Sequence, residues 1–467
     1  MIDEPVLRQR LQQLRQNINA WIKDPKNWGK MWELKYLDIA QELWDTLEVI
    51  GNRAQDLKKR LEAVSKNLDA VSNAPEPEAR AAWTKAWQDY DMLYKESQAL
   101  FDESLAFVRG LVVRDRLSAM SSETILSNVS TKIAFAAADS LCRKASVVIG
   151  GVGSAVMTLP AGNAPGGDGS WRAAYLRFPG WQIWTVPMAI YEFALLTVQE
   201  YQPFADFIDK LDSEDPPLAL NTQHLQIYLA DALTTYLLGP AYPCAAVHLR
   251  LEVVNANLED ADYPAPAKRA SLILGILERM NQKEAQELHS EPYRVTIDTL
   301  RSRWRDMIAF AGGTPDLSPK DQAAIDSLVN ACWDKLYEYV REVSYRSLGE
   351  KIPAEGWVLA QQWSDLWIDD ENNGSASLRL PQLGPEALRM PEDNLTLPSV
   401  GDVLNTAWYL RLTTRIDLSK IEAATRGLCE IILATQRKVD SQGKSVPTPS
   451  SNMAQVPQKE LDKNDRP

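Results

Sequence analysis

Apolar residues recur at helical spacing through most of the first 120 residues, and a single break interrupts them. Leu7, Leu11, Leu14 and Ile18 form one stripe, and Leu37, Leu43, Leu47, Ile50, Leu57, Leu61, Val64 and Leu68 form the next. Asn73-Ala74-Pro75-Glu76-Pro77 stops the run, because proline lacks the helical N–H donor and disfavours helix at the residue before it. A third stripe starts near Glu78 and passes through Trp83, Trp87, Tyr90, Leu93, Tyr94, Leu100 and Leu105. The pattern predicts two long antiparallel helices joined at the Pro-Glu-Pro turn, as an α-hairpin or small bundle. Its Trp and Leu stripe reads first as core packing. A hairpin with one seam left open would instead be a docking stalk for a partner protein.

The remaining chain is long enough, at 467 residues in all, for one large core beside this module. A net charge of −13 and a pI near 5.0 argue against a general binder of phosphate backbones, so no nucleic-acid partner is expected. Cys142, Cys244, Cys332 and Cys429 are far apart, with no C-x-x-C spacing. They read as small buried apolar residues of a reduced compartment. The start Met1-Ile2-Asp3-Glu4-Pro5 has neither a basic nor an apolar signal region, so a cytoplasmic protein is expected. Trp181 to Gln199 is apolar, but it holds Pro187 and Glu192 and barely reaches the ~20 residues of a membrane span. A buried central helix is the favoured reading and no membrane partner is expected, with membrane association as a third possibility.

Thr124 to Ser146 reads as a helix, followed by a strand, glycine-rich bend and strand over residues 147–160. The bend lacks the third glycine of a dinucleotide-binding turn, where Val156 stands, and no Gly-Lys-Ser/Thr follows. Ala173 to Phe178 reads as another short strand. Helices are then expected over Trp184–Gln199, Thr222–Leu238 (ending at Gly239-Pro240) and Ala241–Leu251, around 267–290, 292–312 and 318–348, and over Val400–Leu412 and Leu418–Gln436. Asp365, Asp369, Asp370 and Glu371 read as a solvated acidic loop beside Trp357, Trp363 and Trp367, out of register for an EF-hand. Arg294, Arg301, Arg303 and Arg305 read as a solvated basic helix face.

The segment Ala189-Ile190-Tyr191-Glu192-Phe193-Ala194-Leu195 speaks most directly to function. An H-E-x-x-H helix places two zinc-binding His on one face, with a Glu that activates the metal-bound water. Here Tyr191 and Leu195 stand at the His positions and Glu192 at that of the base. Downstream come Ile227-Tyr228-Leu229-Ala230-Asp231 and Gly239-Pro240-Ala241-Tyr242, and upstream Leu176-Arg177-Phe178-Pro179 and Trp184. Together these resemble bacterial zincin-like metallopeptidases in which an A-H-E-F-G-H helix precedes E-x-x-A-D and G-P-A-Y. The resemblance covers residues 125–250 best, and it implies that Ile227 replaces the third ligand, a Glu.

With Tyr191, Leu195 and Ile227 at all three ligand positions, neither a metal nor another cofactor is expected, and no catalytic residue. Glu192 and Asp231 become vestigial. Leu195 and Ile227 would refill the metal cavity, Asp231 would cap or brace the loop near Gly239, and Glu192 would pair with His224, Tyr228 or a backbone group. His248 and His289, the other two histidines, lie apart.

The expected fold is mainly α with a small β-sheet (α+β): a helical hairpin or bundle over 1–120, a zincin-like, mostly helical domain over 121–435 and a disordered tail over 436–467. The resemblance implies a catalytically inactive protein, binding a protein partner through the hairpin or the former cleft. Its role would be that of an adaptor, sensor or regulated substrate in a bacterial signalling or antiviral defence system. The alternative is a hydrolase with a non-zinc site around Glu192, Asp231 and His224. Oligomeric state is left open.

Overall fold

The computed structural model describes residues 37–71, 76–119, 129–149, 157–161, 173–177, 183–214, 221–288, 291–340, 399–413 and 418–441, with a few helical residues between Arg8 and Ile18 and the pairs 368–369 and 377–378. His289, the Trp357–Trp367 region, most of the acidic loop, the glycine bend at 150–156 and the tail beyond Ser441 lie outside them.

Helices α1 (Leu37–Val71) and α2 (Glu76–Ala119) pack on each other, and Glu76 and Pro77, expected in the turn, form the first turn of α2, where proline needs no amide donor. Ala54, Leu57, Leu61, Val64 and Leu68 are buried on α1, and Ala86, Tyr90, Leu93 and Leu100 on α2. Arg60 forks onto both carboxylate oxygens of Glu96, at 2.6 and 3.0 Å, fixing their register. Buried Leu11, Leu14 and Ile18 belong to the N-terminal stripe, which is tied to α1 by Arg8–Asp69 and by Arg15–Glu62 at 3.0 Å.

The main core is built by α3 (Val129–Ile149), α4 (Val186–Glu200), α5 (Gln202–Glu214), α6 (Thr222–Leu238), α7 (Ala241–Ala245), α8 (Pro266–Leu288), α9 (Arg294–Phe310), α10 (Pro319–Val340), α11 (Val400–Thr413) and α12 (Leu418–Ser441). Helix α6 sits at the centre, packed between α4 and α8, and α8 in turn packs on α10. Every residue of α6 from Tyr228 to Leu238 is buried. A helix that is apolar all round can satisfy its side chains only inside a core. Helices α11 and α12 pair, and α12 lies on α3. Among the described residues no helix is long and apolar enough to cross a membrane, and α4, from the apolar 181–199 segment, is buried in this core.

The expectation of a small β-sheet is overturned: the fold class is all-α. Among the described residues strand pairing is confined to β1 (Met157–Ala161) with β2 (Ala173–Arg177), parallel, and β3 (Ile368–Asp369) with β4 (Ser377–Leu378). Two paired strands cannot form a layer with a hydrophobic face of its own, and β1 and β2 sit instead against α2, α3 and α4. Val147-Val148-Ile149, read as strand, is the last turn of α3, with Ile149 buried. Their β-branched preference for strand is worth little against the tertiary packing that prolongs the helix.

Candidate functional site

Helix α4 carries Pro187 in its first turn, where an amide donor has no intrahelical acceptor. Its 3.6-residue repeat puts Tyr191 and Leu195 on one face. Tyr191 is fully buried, whereas Glu192 and Leu195 are half-buried, Leu195 against the main core. On α6, Asn221 caps the N-terminus by accepting the His224 amide at 2.7 Å, and Ile227 and Asp231 are buried. The helix stops at Gly239, whose φ of 64° and ψ of −145° are open to glycine alone. A five-residue π-turn, Ala246–Arg250, follows α7 and is closed by the Leu251 amide on the Ala246 carbonyl at 2.9 Å.

These elements converge on Asp231, which is completely buried. Arg269 of α8 donates Nε to one carboxylate oxygen at 2.7 Å and Nη2 to the other at 2.9 Å. The Tyr242 hydroxyl donates to Asp231 Oδ1, so Asp231 braces the segment that follows Gly239-Pro240. The Tyr242 ring lies parallel to that of Tyr191, with centroids 6.1 Å apart, and the Arg250 guanidinium sits 3.5 Å over the Tyr191 ring. Burial disfavours charge on Arg269, but Asp231 more than offsets this and holds the guanidinium protonated. Burial, then the Asp231 charge, push the Tyr242 phenol well above its usual value; burial also raises Tyr191.

The chemistry open to this arrangement is that of a brace. Asp231 has both oxygens occupied, and neither tyrosine can ionise near neutral pH, so no group in the cluster is poised to move a proton. The expected partners of Glu192 are placed differently. His224 sets Nδ1 3.0 Å from Glu259 and Nε2 2.9 Å from the Asp260 carbonyl, and the buried Tyr228 hydroxyl makes no hydrogen bond. Glu192 instead contributes its charge to the surroundings of Arg250 and Tyr191. The structure thus brings Tyr191 and Asp231 into one cluster and directs His224 to another. Among the described residues no group of three or more His, Cys, Asp or Glu is placed to share a metal ion.

Sequence reasoning missed Arg250 and Arg269 and gave Tyr242 no role. A pointer was available for the last: Tyr242 closes the Gly-Pro-Ala-Tyr run eleven residues after Asp231. The basic face on α9 also divides. Arg294 and Arg301 reach Glu278 and Arg305 reaches Asp316, whereas Arg303 is half-buried and donates to the Leu412 carbonyl at 3.1 Å. No protein-family model, curated protein or solved structure matches the chain.

Proposed function

We propose that the chain is a ligand-less relative of the zincin-like metallopeptidases that works by binding a protein partner, as an adaptor, sensor or regulated substrate in a bacterial signalling or defence system. The observation that supports this most is the setting of Tyr191. At the position of the first metal ligand stands a phenol ring with Arg250 over its face and Arg269 at 5.5 Å. Two guanidinium groups so close would repel a divalent ion, and Leu195 and Ile227 offer it no lone pair. The hydrolase alternative requires Glu192, Asp231 and His224 to act on one substrate. Asp231 has no exposed surface, and His224 is committed to Glu259 and Asp260, which disfavours it.

The test is metal analysis and a peptidase assay on the purified full-length protein, with native co-purification from its host. Zinc far below one equivalent, no hydrolysis and a stoichiometric protein partner are the expected results. One tightly bound zinc per chain, or turnover that survives purification, would overturn the reading.

A further inference from the structure

A second cluster, outside the Tyr191 site, gathers positive charge and unanswered donors. The Trp184 and Trp408 rings meet edge to face with centroids 5.2 Å apart, and both are buried to within 3% of full burial. Arg411 lies over both, its guanidinium 4.9 Å from the Trp184 ring and 4.6 Å from the Trp408 ring. His248, from the π-turn, stacks on Trp408 at 5.9 Å. Arg303 of α9 reaches the same place through its bond to Leu412, the neighbour of Arg411.

The hydrogen-bond accounting fails here. Trp184 Nε1, Trp408 Nε1 and His248 Nε2 are all buried without a partner. Among the described residues Arg411 makes no hydrogen bond or ion pair, and Arg303 makes only the one to Leu412. Each buried donor left unmade costs about 1–3 kcal/mol, and such orphans in a folded core call for an explanation. Two arginines without a paired carboxylate are also unusual in a chain of net charge −13. Glu422 is the carboxylate whose charge reaches Arg411. Burial, and then Arg303, lower the Arg411 guanidinium from its usual value; burial, Arg303 and Arg411 lower His248. On both groups the lowering by burial and by neighbouring arginines prevails; at Arg411 Cys244 and Glu422 act against it.

We propose that Arg303, Arg411 and His248, over the Trp184–Trp408 floor, form a binding site for a phosphate group. Arginine's planar fork suits the tetrahedral oxyanion, and a guanidinium stacked on indole is held with its donors directed outward along its edges. Arg303 and Arg411 are half-buried, so the two guanidinium groups form the reachable rim, with the enclosed His248 Nε2 and the buried indoles behind it. A neutral His248 at pH 7 still supplies one ring N–H. The phosphate could be free or a monoester on an aromatic ligand, since the same rings would take a planar group.

Isothermal titration of the full-length protein with inorganic phosphate and with phenyl phosphate tests the site. Saturable 1:1 binding is expected, weakened about tenfold to a hundredfold by Arg411→Gln and by Arg303→Gln, from the loss of a charged hydrogen bond. Arg305→Gln, on the same helix but paired with Asp316, should leave binding unchanged. Tighter binding of phenyl phosphate assigns an organic monoester, and equal binding assigns free phosphate. Should Arg411→Gln fail to fold, Arg303→Gln decides alone, because its side chain is half-exposed. Absence of saturable binding of either probe at millimolar concentration, or full affinity in folded Arg303→Gln, would overturn the proposal.

Discussion

At the scale of the residue, Asp231 and Arg269 are a buried pair whose two members stabilise only jointly. Removing one leaves the other charged and dry, which costs roughly 3–5 kcal/mol, whereas replacing both by apolar groups of similar volume is often nearly neutral. Arg269→Met and Asp231→Leu should each lower the urea midpoint strongly, and the double variant should be more stable than either. A double variant that merely sums the two losses would mean that the pair is not coupled. His248 sets a pH dependence of definite sign. Burial, then Arg303 and Arg411, lower its pKa from 6.5 to about 4. Between those values the unfolded chain binds a proton that the folded chain refuses. The contribution of neutral His248 is therefore complete above pH 6.5 and is lost as pH falls towards 4. Urea titrations at pH 7, 6 and 5 should show the natural protein losing more stability than His248→Gln; parallel losses would refute the assignment.

At the scale of the element, the junction between α6 and α7 is held from a distant part of the chain. Asn405 of α11 is buried, donates to the Leu238 carbonyl at 2.8 Å, and accepts the Ala241 amide at 2.7 Å. Both are backbone groups orphaned by the helix break at Gly239-Pro240. Asn405→Leu should destabilise by about 2–4 kcal/mol by leaving both unmade, as read by thermal or urea unfolding; a loss below ~1 kcal/mol would show that water replaces the amide. Gly239-Pro240 was legible in the sequence because such a break is local, whereas Glu76 and Pro77, read as part of a turn, open α2. Legible too, in large part, were the amphipathic stripes: Leu57, Leu61, Val64, Leu68, Tyr90, Leu93 and Leu100 are buried as their period names them, whereas Tyr94 is exposed. Asn405 was not, since nothing within one turn of it refers to residues 238 and 241. For the same reason Arg269 escaped notice beside Asp231, and Arg303 beside Arg411. Their partners lie tens of residues away, and only the packing of α8 on α6 and of α9 near α11 brings them together. The strand expected at Val147-Val148-Ile149 failed in the other direction, a local preference overruled by the packing of α3.

At the scale of the molecule, the four cysteines sample one core from four elements. Cys142 lies on α3, Cys244 on α7, Cys332 on α10 and Cys429 on α12; all are free and buried in the same apolar cluster. Burial pushes every thiol up, to about 12 for Cys332 and Cys429 and further for Cys142 and Cys244. A thiol that is both buried and protonated does not attack a disulfide reagent, so reaction must wait for the chain to open. Among the described residues, the buried apolar side chains of α1 and α2 are absent from that cluster, and Leu57, Leu61, Leu93 and Leu100 belong to their own seam. A large-to-small change in that seam, Leu61→Ala, should cost about 2–5 kcal/mol locally without exposing the thiols. The expected outcome has two parts. In the natural protein no thiol titrates with Ellman's reagent at pH 8, and all four appear together at a single urea midpoint. In Leu61→Ala that midpoint is unchanged, while helical signal is lost at lower urea. Thiols appearing one by one would divide the core into separately opening units, and a midpoint that falls with Leu61→Ala would join the hairpin to it.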